Sequence, residues 1–272
     1  MKRICALLML MLCLPLSSVC ASSAYVESDE YLESALTMLE EGNLFLSQYN
    51  LLGDNMITHR LPLGMPYFFA GVNENAALKV RVCVQESSYY KPGKQYLYGL
   101  DCKGFTRWVQ REVGVREHEP LSDILYQCRN DQLLEGRPAV EWPEFFSYGD
   151  LLVVDHGPNH VMMYIGTPSE YGLTAENAPE IADYLEYPLF IHCGYNPFYY
   201  DRYKEYIRGQ GYRSCIPPDG GVTVSIVGME EAPHSRVDFH RDFTYFMVWD
   251  QPLPVFSLKE CRRMAWLPRT EP

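Results

Sequence analysis

Apolar residues recur at helical spacing early in the chain, at Tyr31, Leu32, Ala35, Leu36 and Leu39, with Ser28 or Asp29 placed to cap the run and Gly42 to end it. The pattern predicts an amphipathic helix, and a shorter one over residues 43–52. Together they form a helical lead-in, residues 22–60, that packs on the domain after it. Residues 64–71 are aromatic-rich and bounded by glycines, which predicts a loop laid over a core. Residues 73–99 are polar and weakly periodic, a long connection. The clearest helix starts at Asp101: Cys102, Phe105, Trp108, Val109 and Val113 share one face, Asp101 can accept from first-turn N–H groups, and Gly114 ends the run. Trp108 is most simply a core residue of that helix.

Past Tyr148 the period shortens. Gly149 and Asp150 form a turn, residues 151–154 and 160–166 read as strands, and the polar 155–159 turn between them makes a hairpin. Further strands are expected at 189–193, 222–227 and 243–249. Helices followed by strands imply an α+β fold: an antiparallel sheet of five or six strands packed against the helix that carries Cys102.

The N-terminus changes the compartment. Lys2 and Arg3 precede an apolar run over residues 4–16 and then small residues, a signal-peptide pattern over residues 1–21 with cleavage expected after Ala21. The run is shorter than the ~20 residues of a membrane span, so the mature chain is expected outside the cytoplasm, secreted or in the cell envelope, with no membrane span. Cys20 raises lipid anchoring as an alternative, and Val19 argues against it. Loss of Lys2 and Arg3 takes the net charge from −12 to −14, which argues against a nucleic-acid partner. With 47% hydrophobic residues, the mature chain can close a large core.

Of the nine cysteines, Cys83, Cys102, Cys128, Cys193, Cys215 and Cys261 follow the leader. In an oxidising compartment the plain reading is three disulfides of unknown pairing. The other reading makes Cys102 a nucleophile. A helix N-terminus favours the thiolate, which predicts faster alkylation at neutral pH than an ordinary thiol shows. His160, at a strand start after a tight turn, is placed to be its base, and His192, opening a similar position on the next strand, to orient His160. His156, His234 and His240 complete no metal-ligand set.

These residues resemble the NlpC family of papain-like cysteine peptidases, which act on bacterial cell-wall peptides. Asp101-Cys102-Lys103-Gly104-Phe105 resembles its Asp-Cys-Ser-Gly-Phe; Gly149-Asp150-Leu151 and the strand from His160 to Gly166 resemble its Gly-Asp-Leu and His-Val-Gly-Ile-Tyr-Ile-Gly. Phe190-Ile191-His192 resembles the strand with its third polar residue, and residues 64–71 resemble its Gly-x-Pro-Tyr-x-Trp-Gly-Gly. The resemblance covers residues 61–250, with insertions near 73–99 and 168–187 and a C-terminal tail at 251–272. Lys103 stands where the family has Ser, and Ala70 where it has Gly.

The resemblance implies hydrolysis of the γ-D-glutamyl to diamino acid bond of peptidoglycan stem peptides by a Cys102-His160-His192 triad, without metal or organic cofactor. Tyr67 and Asp101 are the substrate-binding and oxyanion candidates beside it, with Tyr96 a rival for the role of Tyr67. Two other readings stay open: a secreted envelope-binding protein of the same fold without turnover, and an amidase or acyltransferase acting on another substrate.

Overall fold

The computed structural model describes residues 28–40, 63–73, 77–84, 90–114, 138–154, 160–195, 198–226 and 261–264. The expected leader, the 43–52 helix, the 155–159 turn with His156, the 243–249 strand, Cys128, His234 and His240 lie outside the described residues.

Helix α1 (Ser28–Leu36) buries Tyr31, Leu32, Ala35 and Leu36, and Leu39 just past its end, as the period requires. The 73–99 connection is not loop throughout, because β1 (Val80–Val82) and β2 (Gln95–Leu97) pair antiparallel within it. Helix α2 (Cys102–Glu112) follows, capped by Asp101, and Gly114 takes φ +81 just past its end. Then come β3 (Leu151–Val154), β4 (His160–Gly166), β5 (Leu189–Tyr195), α3 (Phe198–Gly209), β6 (Cys215–Ile216), β7 (Gly220–Ile226) and β8 (Cys261–Met264).

The fold is α+β. Its main sheet has five strands in the order β7-β5-β4-β3-β8, every neighbouring pair antiparallel. A smaller sheet, β1-β2-β6, joins β2 to β6 in parallel. The 251–272 stretch, expected as a tail, supplies the edge strand β8 against β3. Helix α3 falls in a stretch where the sequence predicted no element; its Tyr203 and Ile207 bury against Leu97 of β2.

Apolar side chains cover both faces of the main sheet. On one face Val161, Met163, Ile165, Ile191, Val222 and Val224 pack with Phe105 and Val109 of α2 and Leu32 and Leu36 of α1. On the other, Leu152, Met162, Tyr164 and Phe190 lie under Trp142 and Phe146, from and beside a 3-10 turn at Ala139–Phe145. Burial on both sides explains why β4 is apolar at nearly every position instead of alternating.

At the start of β3, Gly149 and Asp150 together oppose Tyr164. The Gly149 N–H donates to the Tyr164 carbonyl at 3.0 Å, and the Tyr164 N–H to the Asp150 carbonyl at 2.8 Å. Gly149 holds φ +87, and a Cβ there would meet the Tyr31 ring at 2.8 Å. The glycine thus serves a bulge and the docking of α1 at once.

The 168–187 segment leaves from the end of β4 remote from His160 and buries Tyr171, Leu173, Ala178 and Ile181 in the main core. It thus completes the core. Among the described residues no helix is long and apolar enough to cross a membrane.

Candidate active site

Two backbone constraints position Cys102. The Asp101 Oδ1 accepts from the Gly104 N–H at 2.6 Å, so its carboxylate is engaged as the helix cap. The Asp101 N–H donates to the Gly71 carbonyl at 2.8 Å, pinning the helix start under the 64–71 loop. That loop is tied to the sheet as well: the Tyr67 N–H donates to the Gly220 carbonyl and the Val222 N–H to the Met65 carbonyl, both at 2.8 Å.

The main sheet opens where the site lies. β4 and β5 pair at Met163↔Ile191 and Tyr164↔Phe190, and the ladder stops there, while β4 stays paired to β3 as far as His160 and β5 to β7 as far as Tyr195. The alternation along β4 turns the Val161 N–H away from β3 and into this split. There it faces the Cys102 thiol, and this N–H and those of Cys102 and Lys103 favour the thiolate. The strand contact made by Cys102 Sγ is thus one residue past His160.

His160 and His192 line the same split. Both sit on the face shared with Met162, Tyr164 and Phe190, while α2 covers the other face, so the thiol and the imidazoles approach the opening from opposite sides. His160 Nε2 and His192 Nδ1 are 3.0 Å apart, with the rings at 90°. His192 Nε2 lies 2.8 Å from Ser225 Oγ on β7. His192 and Ser225 are both buried. Ser225 was not legible in the sequence, since only the β5–β7 register brings it to His192.

Burial, and then the Asp101 charge, push the Cys102 thiol up to about 11, the reverse of the lowered value expected at a helix N-terminus. Burial takes His160 down to about 4 and His192 well below the ordinary value, with His160 lowering His192 further. The resting site therefore holds a neutral thiol and neutral imidazoles. Alkylation of Cys102 should be slower than that of an ordinary thiol at pH 7 and should climb about tenfold per pH unit up to pH 9. Iodoacetamide labelling read by peptide mass spectrometry checks this, and fast labelling with a plateau near neutrality would contradict it.

The same burial has a stability consequence. Below about pH 6.5 the unfolded chain protonates its histidines while the folded chain holds His160 neutral until about pH 4. Stability should therefore fall as pH drops through that window, with no such cost above it. For His160 the loss is about 3 kcal/mol, at ~1.4 kcal/mol per pKa unit. Urea unfolding at pH 7.5 and 4.5 should show wild type losing about that much more than His160→Gln; equal losses would show that His160 is not held neutral.

Tyr67 stands next to the thiol. Burial raises its hydroxyl pKa first, then the neighbouring Cys102, Cys193, Tyr90 and Asp101, so it stays a proton donor. Tyr96, the rival, has its hydroxyl engaged by the Lys91 N–H at 2.8 Å and packs against Tyr90 in the smaller sheet. Tyr90 itself stacks on Phe68 at 4.5 Å, so part of the 73–99 segment borders the site.

Cys102, Cys193 and Cys215 are thiols, which excludes the three-disulfide reading. Cys193 is wholly buried and lies 3.1 Å from the Leu100 carbonyl. No group of three His, Cys, Asp or Glu side chains that could hold a metal ion occurs among the described residues. No family model, curated protein or solved structure matches the chain.

Proposed function

We propose that this chain is a secreted cysteine peptidase of papain-like, NlpC-type architecture. It hydrolyses amide bonds in peptidoglycan stem peptides, at the γ-D-glutamyl to diamino acid bond. The observation that carries this reading is the His160–His192 pair, 3.0 Å apart, at the strand split the Cys102 thiol faces. The leader pattern supports action outside the cytoplasm, and the motif order supports the wall peptide as substrate.

In this mechanism Cys102 Sγ attacks the amide carbon as its proton passes to His160, which is then an imidazolium beside the sulfur. The Cys102 backbone N–H and the Tyr67 hydroxyl donate to the oxyanion. Asp101, engaged as the helix cap and negatively charged, has no part in holding that oxyanion. Collapse expels the amine, protonated by His160, and leaves a thioester on Cys102. Water, deprotonated by His160, releases the acid and restores the thiol.

The test is to incubate the mature protein and its Cys102→Ala variant with purified peptidoglycan fragments and to identify new amines and peptides by mass spectrometry. Products that depend on Cys102 are expected. Their absence across several wall chemistries would leave the second reading, a wall-binding protein of this fold. The thiol held near 11 by burial and Asp101 favours that alternative.

A further inference from the structure

We infer that Gly194 is a positioning residue of this site: its missing side chain leaves the room in which the His160 and His192 rings meet edge to face. For its effect on turnover the inference rests on the hydrolase reading; for its effect on the ring pair it does not.

Alternation along β5 puts Gly194 on the same face as His192, two residues further on. It lies past Ile191, where the β4–β5 ladder stops, and is held by β7, opposite Gly221. A Cβ on Gly194 would stand 3.0 Å from His192 Nδ1 and 3.4 Å from both His160 Cε1 and His192 Cε1. These are the three atoms nearest to it, and all belong to the two rings. His192 Nδ1 is also the atom that lies 3.0 Å from His160 Nε2. A side chain at position 194 therefore presses on the bond between the rings. The contact is steric and holds whichever ring donates.

Two other reasons for a glycine fall away. The φ of Gly194 is outside the left-handed region, so its backbone suits other residues. No backbone atom is among the three nearest to the added Cβ, whereas at Gly71, Gly99 and Gly104 a carbonyl oxygen is in the way. What remains is the ring pair. His192 is 0% exposed, so its ring cannot retreat into solvent, and the few tenths of an ångström it must give are passed on to His160.

The experiment uses the full mature protein with 15N-labelled histidine, as wild type, Gly194→Ala, His192→Ala and the double variant. Scalar coupling between the 15N nuclei across the ring-to-ring hydrogen bond reports their separation, steady-state kinetics on a stem peptide report turnover, and urea unfolding reports stability. Wild type is expected to show the coupling between His160 Nε2 and His192 Nδ1. Gly194→Ala should lose most of it, with kcat down about tenfold and KM little changed. In an open strand position Ala in place of Gly stabilises, so the sign of the stability change is informative. Gly194→Ala should be less stable than wild type, while the same change made in His192→Ala should be neutral or stabilising. No coupling in wild type, unchanged coupling in Gly194→Ala, or an equal loss of stability in both backgrounds would overturn the inference. Where Gly194→Ala does not fold, the double variant decides: folding restored identifies the ring as the obstacle, and folding lost from His192→Ala by the added methyl overturns it. A wild type without turnover on any wall peptide sinks the hydrolase reading, while loss of the coupling in Gly194→Ala still sustains the role of Gly194.

Discussion

His160→Ala is expected to lower kcat/KM on wall peptides by about a thousandfold while the protein stays folded. The reason lies in the resting charges: with the thiol pushed up to about 11, spontaneous ionisation supplies almost no thiolate at neutral pH, so the nucleophile depends on a base within the complex. His160 is the proposed base of the two imidazoles at the split, and its bond to His192 presents the ring in one orientation. His192→Asn, whose amide oxygen can still accept from His160 Nε2, should keep more activity than His192→Ala. Steady-state kinetics with circular dichroism as the folding control checks both, and a loss below tenfold in His160→Ala would assign the base elsewhere.

Gly104→Ala should destabilise the protein by about 3 kcal/mol or more. In an open helix the same change stabilises by up to ~1 kcal/mol, so the sign alone is informative. A Cβ on Gly104 would lie 2.0 Å from the Gly71 carbonyl oxygen, which already accepts from the Asp101 N–H. The obstacle is backbone, so the loop has to move as a unit, loosening the Asp101 contact and Tyr67. Related contacts repeat nearby: a Cβ on Gly71 would meet the Gly99 carbonyl oxygen at 2.3 Å, and one on Gly99 the Pro66 carbonyl oxygen at 1.8 Å. Gly209, with nothing within 4 Å, is the control, and Gly209→Ala should be neutral or mildly stabilising. Urea denaturation measures both, and a stabilised Gly104→Ala would refute the close packing.

These contacts also show what was legible in the sequence. The glycines at 71 and 104 stood out in short motifs, and their reason is steric: a loop and a helix start meet with no room for side chains. Helix α2, the β3–β4 pairing and β5 followed from periodicity, because each buries a regular stripe or a continuous apolar run. The smaller sheet did not, because strands of two or three residues carry no period. Strand β8 reads Cys-Arg-Arg-Met, too polar to mark a sheet edge. His160 and His192 were found as single residues next to apolar runs, but their bond depends on how far the β4–β5 ladder extends. Ser225 lies 33 residues past His192, and only strand pairing brings the two together.

The raised thiol was hidden for a different reason. Helix placement favours a thiolate, but the burial created by tertiary packing, with Asp101 alongside, outweighs it.

The most direct test of the central claim is to look for the acyl group on Cys102. The mature protein is mixed with a stem peptide, quenched in acid within the first turnover, and examined by intact-protein and peptide mass spectrometry. A covalent adduct matching the N-terminal acyl fragment, located on Cys102 and absent from Cys102→Ala, is the predicted result. Turnover of the peptide by Cys102→Ala, or an adduct located on another residue, would contradict it.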